Sequence, residues 1–260
     1  MDFLKSSKRR SLVSELIYIM LNIALAVAIL AVVLAIESPL PAVALVLLSK
    51  WRVLAVRPRY WMAHIKANLV DIIVSLSVVV LLYAASGAFW VQVGLTALYI
   101  VWLLFIKPRS KRVFIAVQAG AALFLGVTAL MTISYDWMSS LVVLFMWMIG
   151  YGAARHVLSS YDEEPHGSFY SLVWGLVVAE IGWLAYHWTF AYALPGFGGI
   201  KLSQAALIIL ALSFLVERIY SSHHQHGVMR SSDVVMPALL SVSVTLILIL
   251  FFNTLNSGAI

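Results

Sequence analysis

The sequence predicts an all-α fold, a polytopic transmembrane helical bundle of about nine helices with the N-terminus inside and the C-terminus outside. Three observations predict it: the composition, the number and length of apolar runs, and the placement of Lys and Arg. Of 260 residues, 63% are hydrophobic and only 11% charged, with a mean hydropathy of +1.00. An ordinary soluble domain is about 25% charged. A core facing water could not hide this much apolar surface, so lipid must be the solvent. No polar block is long enough to fold apart, and residues 1–260 read as a single integral membrane domain.

A spanning helix needs roughly 20 mainly apolar residues. Nine segments qualify: 12–36, 39–56, 69–86, 88–106, 113–133, 137–156, 169–190, 202–217 and 234–253. Pro39, Pro41, Pro58, Pro108, Pro165 and Pro195 fall in connections or at helix starts, where a missing N–H is harmless. Pro237 is expected in the first turn of the last span, after a Ser232/Asp233 cap.

Orientation follows from the cations. With the N-terminus inside, 16 of the 17 Lys and Arg residues lie on inner segments, and only Lys201 lies outside. Short loops so biased fix the topology. The second span is the weakest, since its uncharged run from Pro39 to Ser49 would rise only about 16 Å. Lys50 and Arg52 are expected to snorkel to the inner headgroups, with Trp51, Tyr60 and Trp61 at that interface. The first apolar run is too long for a signal peptide, and an uncleaved anchor helix is expected.

The chain contains no cysteine, which excludes disulfides, thiolate metal sites and a cysteine nucleophile. A formal charge of +6 would suggest nucleic acid in a soluble protein. Here the positive loops border a bilayer, so the expected partners are the lipid bilayer and its anionic headgroups, not nucleic acid. Arg57, Arg59, Lys107, Arg109 and Arg112 are the candidates for that inner-surface contact with lipid or a partner.

The turns "VRPRYW" and "IKPRSKR" lie 50 residues apart and suggest tandem helical hairpins, 39–86 and 88–133. The plainer account is that short inner loops want a turn former and positive charge. "GFGG" at 196–199 lacks the Lys and strand of a phosphate loop and reads as a flexible outer turn. No nucleophile elbow, zincin motif or paired acids appear. An enzyme is therefore not expected, and no cofactor is implied.

One residue departs from the apolar pattern. Glu180 sits in "LVVAEIGWLAYHW", about eleven residues from either end of the seventh span and hence near the midplane. A central charge costs on the order of 2.5–3.5 kcal/mol. The acid should therefore face protein or water. His187 follows seven positions on, about 10 Å further out, with Trp183 between them. Gly175, Ala179, Gly182 and Tyr186 form an adjoining edge of mostly small residues suited to close helix packing. Glu180, His187, Trp183 and Asn22 are the candidate substrate- or ion-binding residues. A structural hydrogen bond between Glu180 and Asn22 is the alternative.

Asp71, Asn68 and His64 share one helix face at the start of the third span, where pairing of Asp71 with Arg57 or Arg59 is expected. "SSHHQHG" at 221–227 reads as a solvated loop, with His223, His224 and His226 as a weaker metal alternative. "YDEEPH" at 161–166 is the only acidic cluster and reads as a solvated inner loop.

From "AEIGWLAYHW" through "ERIYSSHHQHGVMRSSD" the chain resembles an uncharacterised family of bacterial multi-pass membrane proteins. The residues that carry the resemblance are Ala179, Glu180, Trp183, Trp188, His223, His224, Gly227 and Arg230. It implies the same fold class and a place in the bacterial cytoplasmic (inner) membrane. It adds weight to those residues without implying an activity.

Two function classes follow. The first is transport-type handling of a small solute, ion or lipid, with Glu180 and His187 near the path. The second is a non-catalytic subunit or scaffold of a membrane complex, binding a membrane protein partner or forming a homo-oligomer.

Overall fold

The computed structural model describes all residues except 1–11, 52–54, 162–163, 189–190, 194–195 and 252–260. The basic start of the chain, Arg52, Pro195, and Asp162 and Glu163 of the acidic cluster therefore lie outside the described residues. Among those described, nine α-helices follow one another: α1 (Leu12–Ala35), α2 (Leu40–Ser49), α3 (Trp61–Ala84), α4 (Phe89–Val101), α5 (Arg112–Ile133), α6 (Ser139–Leu158), α7 (Gly167–His187), α8 (Gln204–His226) and α9 (Ser231–Phe251). A π-turn, Trp102–Ile106, prolongs α4. With it, eight helices are long and apolar enough to cross a membrane, and α2 is the short exception. The protein is an integral membrane helical bundle, as the apolar runs require.

From α2 onward consecutive helices run antiparallel, so residues 55–60, 107–111, 159–161 with 164–166, and 227–230 gather at one end, hereafter the basic end. At the opposite end the Tyr83 hydroxyl donates to the Ile36 carbonyl at 3.0 Å and also to that of Ser38. This ties the α1–α2 connection to the end of α3. The core divides into two main clusters. One joins α1 to α4, with Ile29, Val46, Val74, Val79 and Leu103 inside. The other joins α5 to α8, with Val127, Val142, Met146, Val178 and Ile209 inside.

The closest helix pair is α6–α7, and small residues make it possible. A Cβ at Gly150 would lie 2.7 Å from Val178 Cβ, and one at Gly175 would lie 3.0 Å from the Trp147 carbonyl oxygen. The small-residue edge of α7 is therefore spent on α6 within the chain.

Several boundaries differ from the sequence reading. Helix α3 begins at Trp61 rather than at residue 69, because the amphipathic stretch WMAHIKAN extends it towards the basic end. Helix α8 runs on to His226, so the histidine run is its last turn rather than a loop. Gly227, at φ +71°, closes that turn by donating its N–H to the His223 carbonyl at 2.8 Å. Helix α9 starts at Ser231, which moves Pro237 into the second turn.

A short hairpin, β1 (Ala191–Ala193) with β2 (Lys201–Ser203), caps the end opposite the basic one; the sequence reading did not foresee it. Its "GFGG" connection is anchored. Gly199 donates its N–H to the Ala84 carbonyl at 2.6 Å. Gly198, at φ +66°, leaves only 3.0 Å between a would-be Cβ and the Ala85 backbone, so no larger residue fits there without strain.

Candidate functional site

Asp71 is the eleventh residue of α3, about 15 Å along the helix from Trp61. Asp71 is 8% exposed, and its carboxylate lies where α2, α3 and the end of α4 meet. The Lys50 ammonium, at the C-terminus of α2, is in direct contact with Asp71 Oδ2. Lys107 Nζ lies 2.8 Å from the same oxygen. Trp102 Nε1 donates to Oδ1 at 3.4 Å. Below the carboxylate, Ser75 Oγ donates to the Asp71 carbonyl at 2.6 Å, and the Tyr99 hydroxyl donates to Ser75 Oγ at 3.0 Å.

Two local departures from regular helix build this centre. First, α2 stops after ten residues, which leaves Lys50 beside Asp71 instead of carrying it on to the headgroups. The expected snorkelling of Lys50 is replaced by burial, its side chain being only 9% exposed. Second, the Lys107 N–H reaches back five residues to the Trp102 carbonyl at 2.8 Å. In an α-helix, residues five apart point about 140° away from each other. The wider π-turn brings Trp102 and Lys107 onto nearly one face, and both reach Asp71.

Asp71 therefore does not pair with Arg57 or Arg59 as expected. Both arginines are exposed at the basic end, with the Arg59 guanidinium 4.6 Å over the Tyr60 ring. Those turns lie well over two helical turns beyond Asp71, because α3 starts eight residues earlier than the sequence suggested. Of the other inner-surface candidates, Arg109 lies over Phe114 at 4.5 Å and Arg112 over Tyr161 at 4.1 Å.

The π-turn leaves carbonyls without helical partners, and Gln118 of α5 meets them. Its buried Nε2 donates to the carbonyls of Ile106 at 2.7 Å and Arg109 at 2.9 Å. Its Oε1 lies 2.6 Å from His156 Nε2. Gln118→Leu should leave these groups unpaired and cost about 1–3 kcal/mol of stability. The unfolding midpoint of the purified protein in detergent would show the loss, and an unchanged midpoint would remove Gln118 from this bracing role.

Glu180 stands apart from this centre. It is exposed on α7 and makes no hydrogen bond or ion pair among the described residues. Helix α7 ends at His187, so Glu180 lies about 10 Å below that end rather than at the midpoint. The His187 ring packs edge-on against Trp183 and Tyr186, with centroids 4.7 and 5.3 Å away. Trp183 and His187 share Glu180's exposed side. Asn22 does not join them: its amide donates to the Tyr18 carbonyl of its own helix at 2.8 Å. Helix α1 packs on α2, α3 and α4, whereas α7 packs on α6 and α8.

At the basic end the three histidines diverge. His223 is exposed, His224 stacks on Tyr220, and His226 Nε2 lies 3.9 Å from Asp233. Among the described residues no three His, Asp or Glu side chains converge as metal ligands. Tyr161 packs edge-on against Tyr220 and His224, and burial pushes its phenol pKa up. Glu164 accepts from the Tyr220 hydroxyl and from the His166 N–H.

The sequence reading missed Trp102 and Tyr99, and it sent Lys50 and Lys107 to the inner surface where the structure turns both onto Asp71. One signal was present: an acid and a lysine each placed inside an apolar run need one another. A scan against protein-family models finds no match. Searches of curated proteins and of solved structures find none either. The family resemblance of the α7–α8 region thus gains no support from them, and function has to be argued from geometry.

Proposed function

We propose that this is a transport-type membrane protein whose ionisable centre is Asp71 with Lys50 and Lys107. The observation that carries the reading is a carboxylate clamped between two ammonium groups within the apolar bundle, at the end of a helix that stops short. Ionisable residues inside a membrane mark ion, proton or substrate paths by default. The short α2, with Pro39 and Pro41 at its start, is also the kind of interrupted helix from which transporter binding sites are commonly built. Lys107, 34% exposed, connects the buried pair to the basic end. The Lys and Arg bias supports placing the basic end in the cytoplasm, and the bacterial inner membrane is the location that the resemblance of the α7–α8 region implies.

The test uses the purified protein in liposomes under a valinomycin-set potential, with luminal pH as the readout. Potential-driven proton flux should exceed that of protein-free liposomes. It should vanish when Lys50, Asp71 and Lys107 become Met, Leu and Met, a replacement that keeps the volume and removes the charges. Flux equal in the two proteins, or no greater than in empty liposomes, would end the proposal.

A further inference from the structure

A second feature points to a partner and does not depend on the Asp71 centre. A groove of about 360 Å³ opens sideways between α6 and α7, lined by Val143, Leu176, Ala179, Glu180, Trp183 and Leu184. Apart from the Glu180 carboxyl its walls are apolar, and Leu176 and Leu184 are exposed. A carboxyl group facing hydrocarbon pays for desolvation in either protonation state unless something donates to it. Among the described residues nothing does so.

A second copy supplies no suitable donor. Copies inserted in the same direction place every residue at the same depth, and a two-fold axis along the membrane normal sets Glu180 against Glu180. The copy's His187 lies about 10 Å away along the helix. Lys50 and Lys107 are held by Asp71. Arg218 sits about 12 Å inside α8 from the basic end, whereas Glu180 lies about 10 Å from the opposite end. The other described lysines and arginines lie within about two turns of the basic end or, as Lys201, in the opposite hairpin.

We propose that the groove receives a transmembrane helix of a different polypeptide, one carrying a Lys, Arg or His side chain at the depth of Glu180. The apolar walls seat that helix, and its cation donates a charge-assisted hydrogen bond to the carboxylate. This names the partner for the subunit alternative.

The experiment places a photoreactive residue at Leu184 of the full-length chain in its native membrane and identifies the adduct by mass spectrometry. The supporting result is a different chain whose cross-linked transmembrane segment contains a Lys, Arg or His. Replacing that residue with Leu, or Glu180→Leu here, should cut the adduct about tenfold, the equivalent of one interhelical bond. Exchanging the two charges should restore it. Glu180→Leu removes no hydrogen bond or ion pair among the described residues, so an unchanged elution profile serves as the folding control. An adduct with a second copy, with lipid alone, or with a helix lacking such a residue would overturn the proposal.

Discussion

Asp71→Asn should lower the thermal unfolding midpoint of the detergent-purified protein more than any other single polar substitution. The amide cannot balance two ammonium groups, and the Lys50 side chain, only 9% exposed, is largely cut off from water. Removing one partner of a buried pair typically costs about 3–5 kcal/mol, because the remaining charge is stranded. Replacing Lys50 with Met and Asp71 with Leu together should be close to neutral, since the apolar pair fills the same space and Lys107 can turn to the surface. Circular dichroism melts of the three proteins decide the matter. If the single variant melts with the wild type, the ion pair is not the constraint described here. The same set separates stability from transport, because the double variant should fold well and still carry no flux.

The second large effect is expected at the α6–α7 seam. Gly150→Ala would place a methyl group 2.7 Å from the Cβ of Val178. Val178 is β-branched and fully buried, so it cannot swing aside. Overpacking of this kind costs about 1–3 kcal/mol. Adding Val178→Ala should recover part of the loss by making room for the methyl. A melt of Gly150→Ala matching that of the wild type would mean that the two helices separate more freely than the packing implies.

These two sites also show where the sequence could and could not be read. The bundle was legible because each long apolar run has only one way to satisfy its backbone in lipid, by coiling on itself. The α6–α7 contact was half legible. The row of Gly175, Ala179 and Gly182 announced a close neighbour but not which helix it would be. Glu180 was conspicuous as one acid among apolar residues. Its exposure was not readable, because the small edge beside it turned out to face a helix of the same chain.

The Asp71 centre was hidden for a different reason. Both of its lysines lie next to Pro-containing basic turns, where headgroup contact explains any cation equally well. Their inward reach depends on where α2 ends and on the winding after Val101. Neither of these is set by hydropathy.

That winding has an evolutionary consequence. The five residues of the π-turn amount to a regular helix with one residue inserted. Deleting a single codon among Leu103, Leu104 and Phe105 would restore ordinary coiling and swing the Lys107 ammonium about 100° around the axis. The count of cations at the basic end would stay the same, so the chain would thread the bilayer as before. Lineages could thus gain or lose the buried charge contact by one indel, without touching the signals that set insertion.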